Sequence, residues 1–166
     1  MRRFLSVLAL LAVAALGVAA GATADPPQKV PVPPTGDFTL GGVCPFDIGV
    51  HTLAQNNHTR LYANGVFAGE GLLKLELTNL RSGTTLDVNV SGPGRFIPNA
   101  DGTTTVRVEG RNLVFFFPDQ LSPGAPGALF LTNGLTTELA DSATGVPVPG
   151  SFTTTGSLTD MCAALA

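Results

Sequence analysis

The chain has 166 residues, with 9 Lys and Arg against 12 Asp and Glu and a formal net charge of −3. Beyond Arg2-Arg3 the basic residues are scattered singly, which argues against nucleic acid and anionic lipid as partners, since both are bound through clustered Lys and Arg. Only 13% of residues are charged, about half the usual share, while Gly numbers 20 and Pro 13. Few long charged side chains, many β-branched ones and frequent turn formers point to strands rather than helices.

Met1-Arg2-Arg3 is followed by an apolar run from Phe4 to Ala20, broken only by Ser6 and Gly17, and then by Ala22-Thr23-Ala24. This order of charged, apolar and small residues predicts a secretory signal peptide over residues 1–24, cleaved after Ala24. The run is Ala-rich and slightly short of the roughly 20 residues that a spanning helix needs. Arg2-Arg3 matches a twin-arginine signal only loosely, which leaves the export route open. Cleavage would remove 24 of the 166 residues, leaving 142, and with Arg2 and Arg3 gone seven basic residues would face twelve acidic ones. No cysteine stands at the cleavage point, no second long apolar run follows, and Asp160–Ala166 is too short to anchor the chain. The mature form is therefore expected to be secreted, extracellular and without a membrane anchor.

Residues 25–37 open with five prolines in the twelve residues from Asp25 to Gly36, which forbids helix and predicts an extended N-terminal arm. Residues 38–166 form the predicted β domain. Phe46, Ile48 and Val50 alternate with Asp47, Gly49 and His51; after a polar stretch read as a loop, Leu73, Leu75 and Leu77 alternate with Lys74, Glu76 and Thr78; then Leu86, Val88 and Val90 alternate with Asp87, Asn89 and Ser91. Each set predicts an antiparallel strand with one apolar and one wet face. Leu80–Gly83 and Asn99–Gly102 are polar, glycine-ended links between such runs and predict hairpins. With Arg95–Ile97 and Thr104–Glu109 on either side of Asn99–Gly102, the runs Leu113–Phe117, Ala128–Leu131, Leu135–Ala140 and Ser151–Leu158 bring the total to about nine or ten strands. The predicted architecture is a single-domain antiparallel β-sandwich, with a small antiparallel β-barrel as the alternative.

Arg111-Asn-Leu-Val-Phe-Phe-Phe-Pro-Asp119 does not alternate. A run apolar on both sides predicts a central strand covered on both faces, ended by Pro118, with Ser122–Gly127 as the cover of its second face. Phe115, Phe116 and Phe117 are therefore the candidate core wall or apolar ligand wall, and Phe115 and Phe117 are expected to contribute more stability than Phe116. Cys44 and Cys162 are the only cysteines, and in an exported chain they predict a disulfide closing the domain.

Motifs for chemistry are sparse. The chain lacks G-x-S-x-G, a P-loop, G-x-G-x-x-G, H-E-x-x-H and C-x-x-C. His51 and His58 with Asp47 form the best metal-ligand candidate, but Asp47 and His51 would lie about 13 Å apart on an extended strand, and surface histidines are the simpler reading. Glu70, Glu76, Asp87, Glu109, Asp119 and Glu138 supply carboxylates for a glycosidase pair, yet nothing in the spacing pairs them, and each reads as solvated. With no Trp and one Tyr, Tyr62, the aromatic platforms of a sugar-binding module are missing. Asp141–Gly145 reads as an Asp-initiated turn rather than a calcium loop. Asn57-His-Thr59 and Asn89-Val-Ser91 match the glycosylation pattern, which is too short to carry weight. No catalytic residue, metal or cofactor is expected.

Cys44-Pro-Phe-Asp47, Leu77-Thr-Asn-Leu80, Val88-Asn-Val-Ser-Gly-Pro-Gly94, Phe117-Pro-Asp119 and Asp160-Met-Cys162 together give the chain a resemblance. It is similar to small secreted β-domain proteins of actinomycetes that carry no assigned function. The resemblance implies export and a β fold and lends no catalytic residue. The expected role is that of a secreted non-catalytic β domain acting on a protein or a cell-envelope component. The alternatives are a carrier of a small apolar ligand and an extracellular hydrolase using Asp47, His51 or Asp119.

Overall fold

The computed structural model describes residues 26–166; the predicted signal peptide lies outside the described residues. The fold is built on one long hairpin, β3 (Ile48–Leu61) and β4 (Phe67–Asn79), of 14 and 13 residues. The stretch after His51, read from sequence as a loop, is thus the middle of a strand. It escapes the apolar alternation because its inner face meets polar partners: Gln55 Nε2 donates to the Pro33 carbonyl over 3.0 Å, and the Thr35 amide donates to Gln55 Oε1 over 2.7 Å. A bulge between Thr52 and Ala54 adds a residue and shifts the inward face from even to odd positions. Ile48 and Val50 point inward before it, and Gln55, Asn57 and Thr59 pair with the inward Leu73, Gly71 and Gly69 after it.

Each half of the hairpin has its own flanking strands. Near its root, β2 (Phe38–Leu40) pairs with β3 and β5 (Thr85–Asn89) with β4; near its tip, β1 (Gln28–Pro31) pairs with β3 and β6 (Gly94–Pro98) with β4. The proline-rich arm is therefore a short edge strand, a place where a residue without an N–H is tolerated. The large sheet continues through β7 (Thr103–Val108), β10 (Thr136–Asp141) and β11 (Thr153–Thr154), giving nine strands. A three-stranded sheet, β12 (Ser157–Asp160), β9 (Ala128–Asn133) and β8 (Arg111–Phe116), packs against it. The chain is an antiparallel β-sandwich whose sheets do not close into a barrel, with twelve strands among the described residues rather than about nine or ten. The segment Ser151–Leu158, expected as one strand, is split between the sheets at Gly156. A Cβ there would collide with the Asn133 carbonyl, so only glycine allows the chain to cross so close.

The principal core lies at the root of the hairpin: Ile48, Val50, Leu75, Leu77 and Val88 from the large sheet meet Leu129 of β9 and Met161 and Leu165 of α1 (Met161–Leu165). Asp160 caps this helix, its side chain accepting from the Ala163 amide over 3.0 Å. The Cys44–Cys162 disulfide, with Cα atoms 5.4 Å apart, ties the helix to the segment before β3. Among the described residues no helix is long and apolar enough to cross a membrane.

The phenylalanine run is placed differently from its sequence expectation. β8 is an edge strand of the small sheet, not a central one. Its two faces are unequal: Phe116 is 1% exposed, whereas Phe115 and Phe117 are 46% and 40% exposed. Phe116 packs edge-on against Phe152 at a centroid distance of 5.1 Å and lies 6.4 Å from Phe130. The cover of that face includes Phe152, while the Ser122–Gly127 loop runs alongside the segment Gly42–Pro45, as the backbone contact of Gly127 with Gly42 and Val43 marks.

Candidate functional site

Toward the tip of the hairpin the buried core stops and the two sheets leave a cleft of about 620 Å³ between them. Its floor follows from strand register. Phe67 pairs with Phe96, Phe96 with Val106, and Val106 with Glu138, so one cross-strand row runs from β4 through β6 and β7 to β10. Cross-strand neighbours on one face touch, and the rings of Phe67 and Phe96 stack with centroids 4.1 Å apart and planes 6° from parallel. The next row is Gly69, Gly94, Val108 and Thr136. Gly69 faces open space, with nothing within 4 Å of the position a Cβ would take. Two small residues in the middle of an otherwise apolar sheet face thus keep the floor of the cleft low.

The opposite wall is the inner face of β8 and the residues that follow it, Leu113, Phe115 and Phe117. Phe115 and Phe117 meet edge to face at 5.8 Å. Val32 of the N-terminal arm closes one side and the turn Thr144–Pro147 the other. The three phenylalanines proposed as a wall therefore divide: Phe115 and Phe117 line the cleft, and Phe116 belongs to the aromatic cluster behind it.

Three ionisable residues border the cleft, His58, Glu70 and Glu138. Glu138 shares the inward row of Val106, whereas His58 and Glu70 alternate with the inward Asn57, Thr59, Gly69 and Gly71, so they pair on the other face of the hairpin. Glu70 accepts from His58 Nε2 at 2.9 Å and pairs with Arg60 Nη2 at 2.6 Å. The hydrogen bond from His58, aided by the Arg60 charge, holds its carboxyl below the usual range. Glu138 is the opposite case. Burial pushes its carboxyl above the usual range, and its Oε2 is buried without a hydrogen-bond partner. Among the described residues no Lys or Arg lines the cleft.

The other candidates are not brought together. His51 Nδ1 lies 2.7 Å from Asp37 Oδ1, not near Asp47. Asp119 accepts from the Gly124 amide over 2.8 Å within its own turn. Neither these residues nor Asp47 lines the cleft. Among the described residues no group of three or more His, Cys, Asp or Glu is placed to hold a metal ion. Asp141 Oδ1 accepts from the amides of Ala143 and Thr144 and the Thr144 hydroxyl, which is the turn its sequence predicts. Of the carboxylates considered for a glycosidase pair, only Glu70 and Glu138 reach the cleft.

The sequence expectation of a solvated strand-face carboxylate does not hold for Glu138. The face it shares with Thr136 and Ala140 is the covered one, both being buried. Gly69 and Gly94 gave no sequence signal at all, since a missing side chain says nothing of what faces the gap.

Comparison with protein-family models, curated proteins and solved structures finds no match to this chain.

Proposed function

We propose that this is an exported, non-catalytic β domain that binds a small apolar ligand in the cleft between its sheets. Export is supported by the charged, apolar and small-residue order of residues 1–24 and by the Cys44–Cys162 disulfide, a bond suited to an oxidising compartment. The observation that carries the binding role is the cleft itself. Its volume of about 620 Å³ lies in the range of small-molecule sites, and its walls are apolar and aromatic with few polar groups. Phe115 and Phe117 are 46% and 40% exposed although a tightly packed sandwich would bury them, so their surface is available to a ligand.

The test is a screen of the purified oxidised protein by native mass spectrometry and thermal shift against hydrophobic metabolites, with Gly69→Leu as control. A Cβ at that position meets open space, so the leucine side chain starts without a clash and extends into the cleft. Binding to the wild type that Gly69→Leu removes, with the variant still folded, supports the proposal. Equal binding by both proteins, or adhesion to a protein or cell-envelope component unaffected by the substitution, overturns it.

A further inference from the structure

The cleft has one unmet polar demand. Glu138 Oε2 is desolvated and unpaired on a floor otherwise made of Val106, Phe96 and Phe67. A carboxylate with a buried, donorless oxygen is costly to keep charged, and a cation bound at the same carboxylate from the cleft side offsets that cost. We propose that the ligand is a hydrophobic amine, its cationic nitrogen at the carboxyl of Glu138 and its apolar body lying across Val106 onto the stacked rings of Phe96 and Phe67. This inference rests on the cleft being a ligand site.

The sign of the charge follows from what faces Glu138. β3 and β4 bring His58 and Glu70 to the rim of the cleft, at positions that alternate with the inward Asn57, Thr59, Gly69 and Gly71, while β6, β7, β8 and the turn Thr144–Pro147 contribute no ionisable residue to the lining. Glu70 is already paired with Arg60 and His58. Glu138 is thus the lining charge that lacks a counter-ion among the described residues. A fatty-acid carboxylate would find no Lys or Arg in the cleft and would face a second anion, whereas an amine supplies the missing charge and donor together. Length follows from the register. Val106 and Phe96 are one and two strands from Glu138 and Phe67 is three, so the stacked rings begin about 10 Å from the carboxyl and end about 14 Å from it. A medium-chain alkyl amine spans that distance.

Titration calorimetry of the oxidised protein at neutral pH with 1-aminodecane, 1-decanol and decanoate, each below its micelle concentration, tests this. Thermal melting confirms that Glu138→Gln and Gly69→Leu are folded. The expected order is 1-aminodecane tightest, with Glu138→Gln weakening the amine about tenfold or more and leaving 1-decanol nearly unchanged, and Gly69→Leu abolishing both. Equal affinity for amine and alcohol, insensitive to Glu138→Gln but removed by Gly69→Leu, overturns the amine inference while the cleft remains a ligand site. Tightest binding of decanoate overturns it likewise. Failure of all three probes to bind, or binding that Gly69→Leu leaves intact, overturns both the inference and the proposal beneath it.

Discussion

The side-chain amide of Asn79 donates to the main-chain carbonyl of Leu165 over 2.9 Å, joining the end of β4 to the last turn of the C-terminal helix across 86 positions of chain. Asn79 is 2% exposed, and its Oδ1 also accepts from the amides of Arg81 and Ser82 at 2.8 and 3.2 Å. One side chain thus shapes the β4–β5 turn and anchors the helix. Asn79→Ala leaves buried groups unpaired and is expected to cost about 1 to 3 kcal/mol in urea unfolding. Asn79→Asp retains the acceptor for the turn but sets a carboxylate oxygen against the Leu165 carbonyl, so it should cost at least as much at neutral pH. A loss below about 0.5 kcal/mol in both variants would show that the helix is held by other contacts alone.

Phe116→Ala is expected to destabilise the protein by about 3 to 5 kcal/mol, the range for a large buried aromatic. Phe115→Ala and Phe117→Ala should cost about 1 to 2 kcal/mol each, because their rings are partly solvated and pack chiefly on one another. This reverses the ranking that the sequence alone suggests. Denaturant unfolding of the three single variants decides it, and equal losses would contradict the placement of Phe116 against Phe152.

Cys44 and Cys162 are 118 positions apart. The chain-entropy model gives a bond closing so long a loop about 4 to 5 kcal/mol of stabilisation. Reduction, or Cys44→Ser with Cys162→Ser, should lower the melting temperature sharply while the oxidised wild type melts in one transition. Both cysteines pack beside the core that holds Met161 and Leu165, so the helix is expected to lose hydrogen-exchange protection first. Uniform loss of protection across all strands would count against that order.

Glu138 links stability to pH. Its carboxyl titrates above the usual 4.5 because burial disfavours the charged form. The folded state therefore holds this proton more tightly than the unfolded state does. Its contribution is fully present below the ordinary carboxylate value and is lost as pH rises through the raised one. Glu138→Gln should be more stable than wild type at neutral pH, and the difference should shrink or vanish at acid pH. Melting temperatures of both proteins from pH 4 to 8 measure this, and parallel curves would mean that the carboxyl is solvated. Glu70, held below the usual range by His58 and Arg60, acts with the opposite sign, losing its contribution on acidification.

Several elements were legible because their causes are local. Leu73, Leu75 and Leu77 and Leu86 and Val88 alternate because one face of each strand meets the core and the other meets water, and both runs fold as strands of the predicted sense. Asn99–Gly102 closes a hairpin through the Asn99 amide and the Thr103 carbonyl at 2.8 Å, as its composition suggests. The middle of β3 was not legible, since Thr52–Leu61 faces an arm and a cleft rather than a core and so carries no apolar period.

By itself the sequence determined an all-β antiparallel domain and the pairing of its two cysteines, because strand period, turn residues and cysteine number are properties of short stretches or of the whole composition; sandwich over barrel was decided by the packing of the sheets. Tertiary structure alone decided that Phe116 is buried while Phe115 and Phe117 stand open, that Glu138 is desolvated, and that Gly69 faces empty space. Each of these depends on what lies opposite. Phe152 is 36 residues from Phe116, and Phe67, Phe96 and Val106 come from three different strands before they share a row with Glu138. The period of a strand tells which residues share a face; only the packing of the two sheets tells whether that face meets core, ligand space or water.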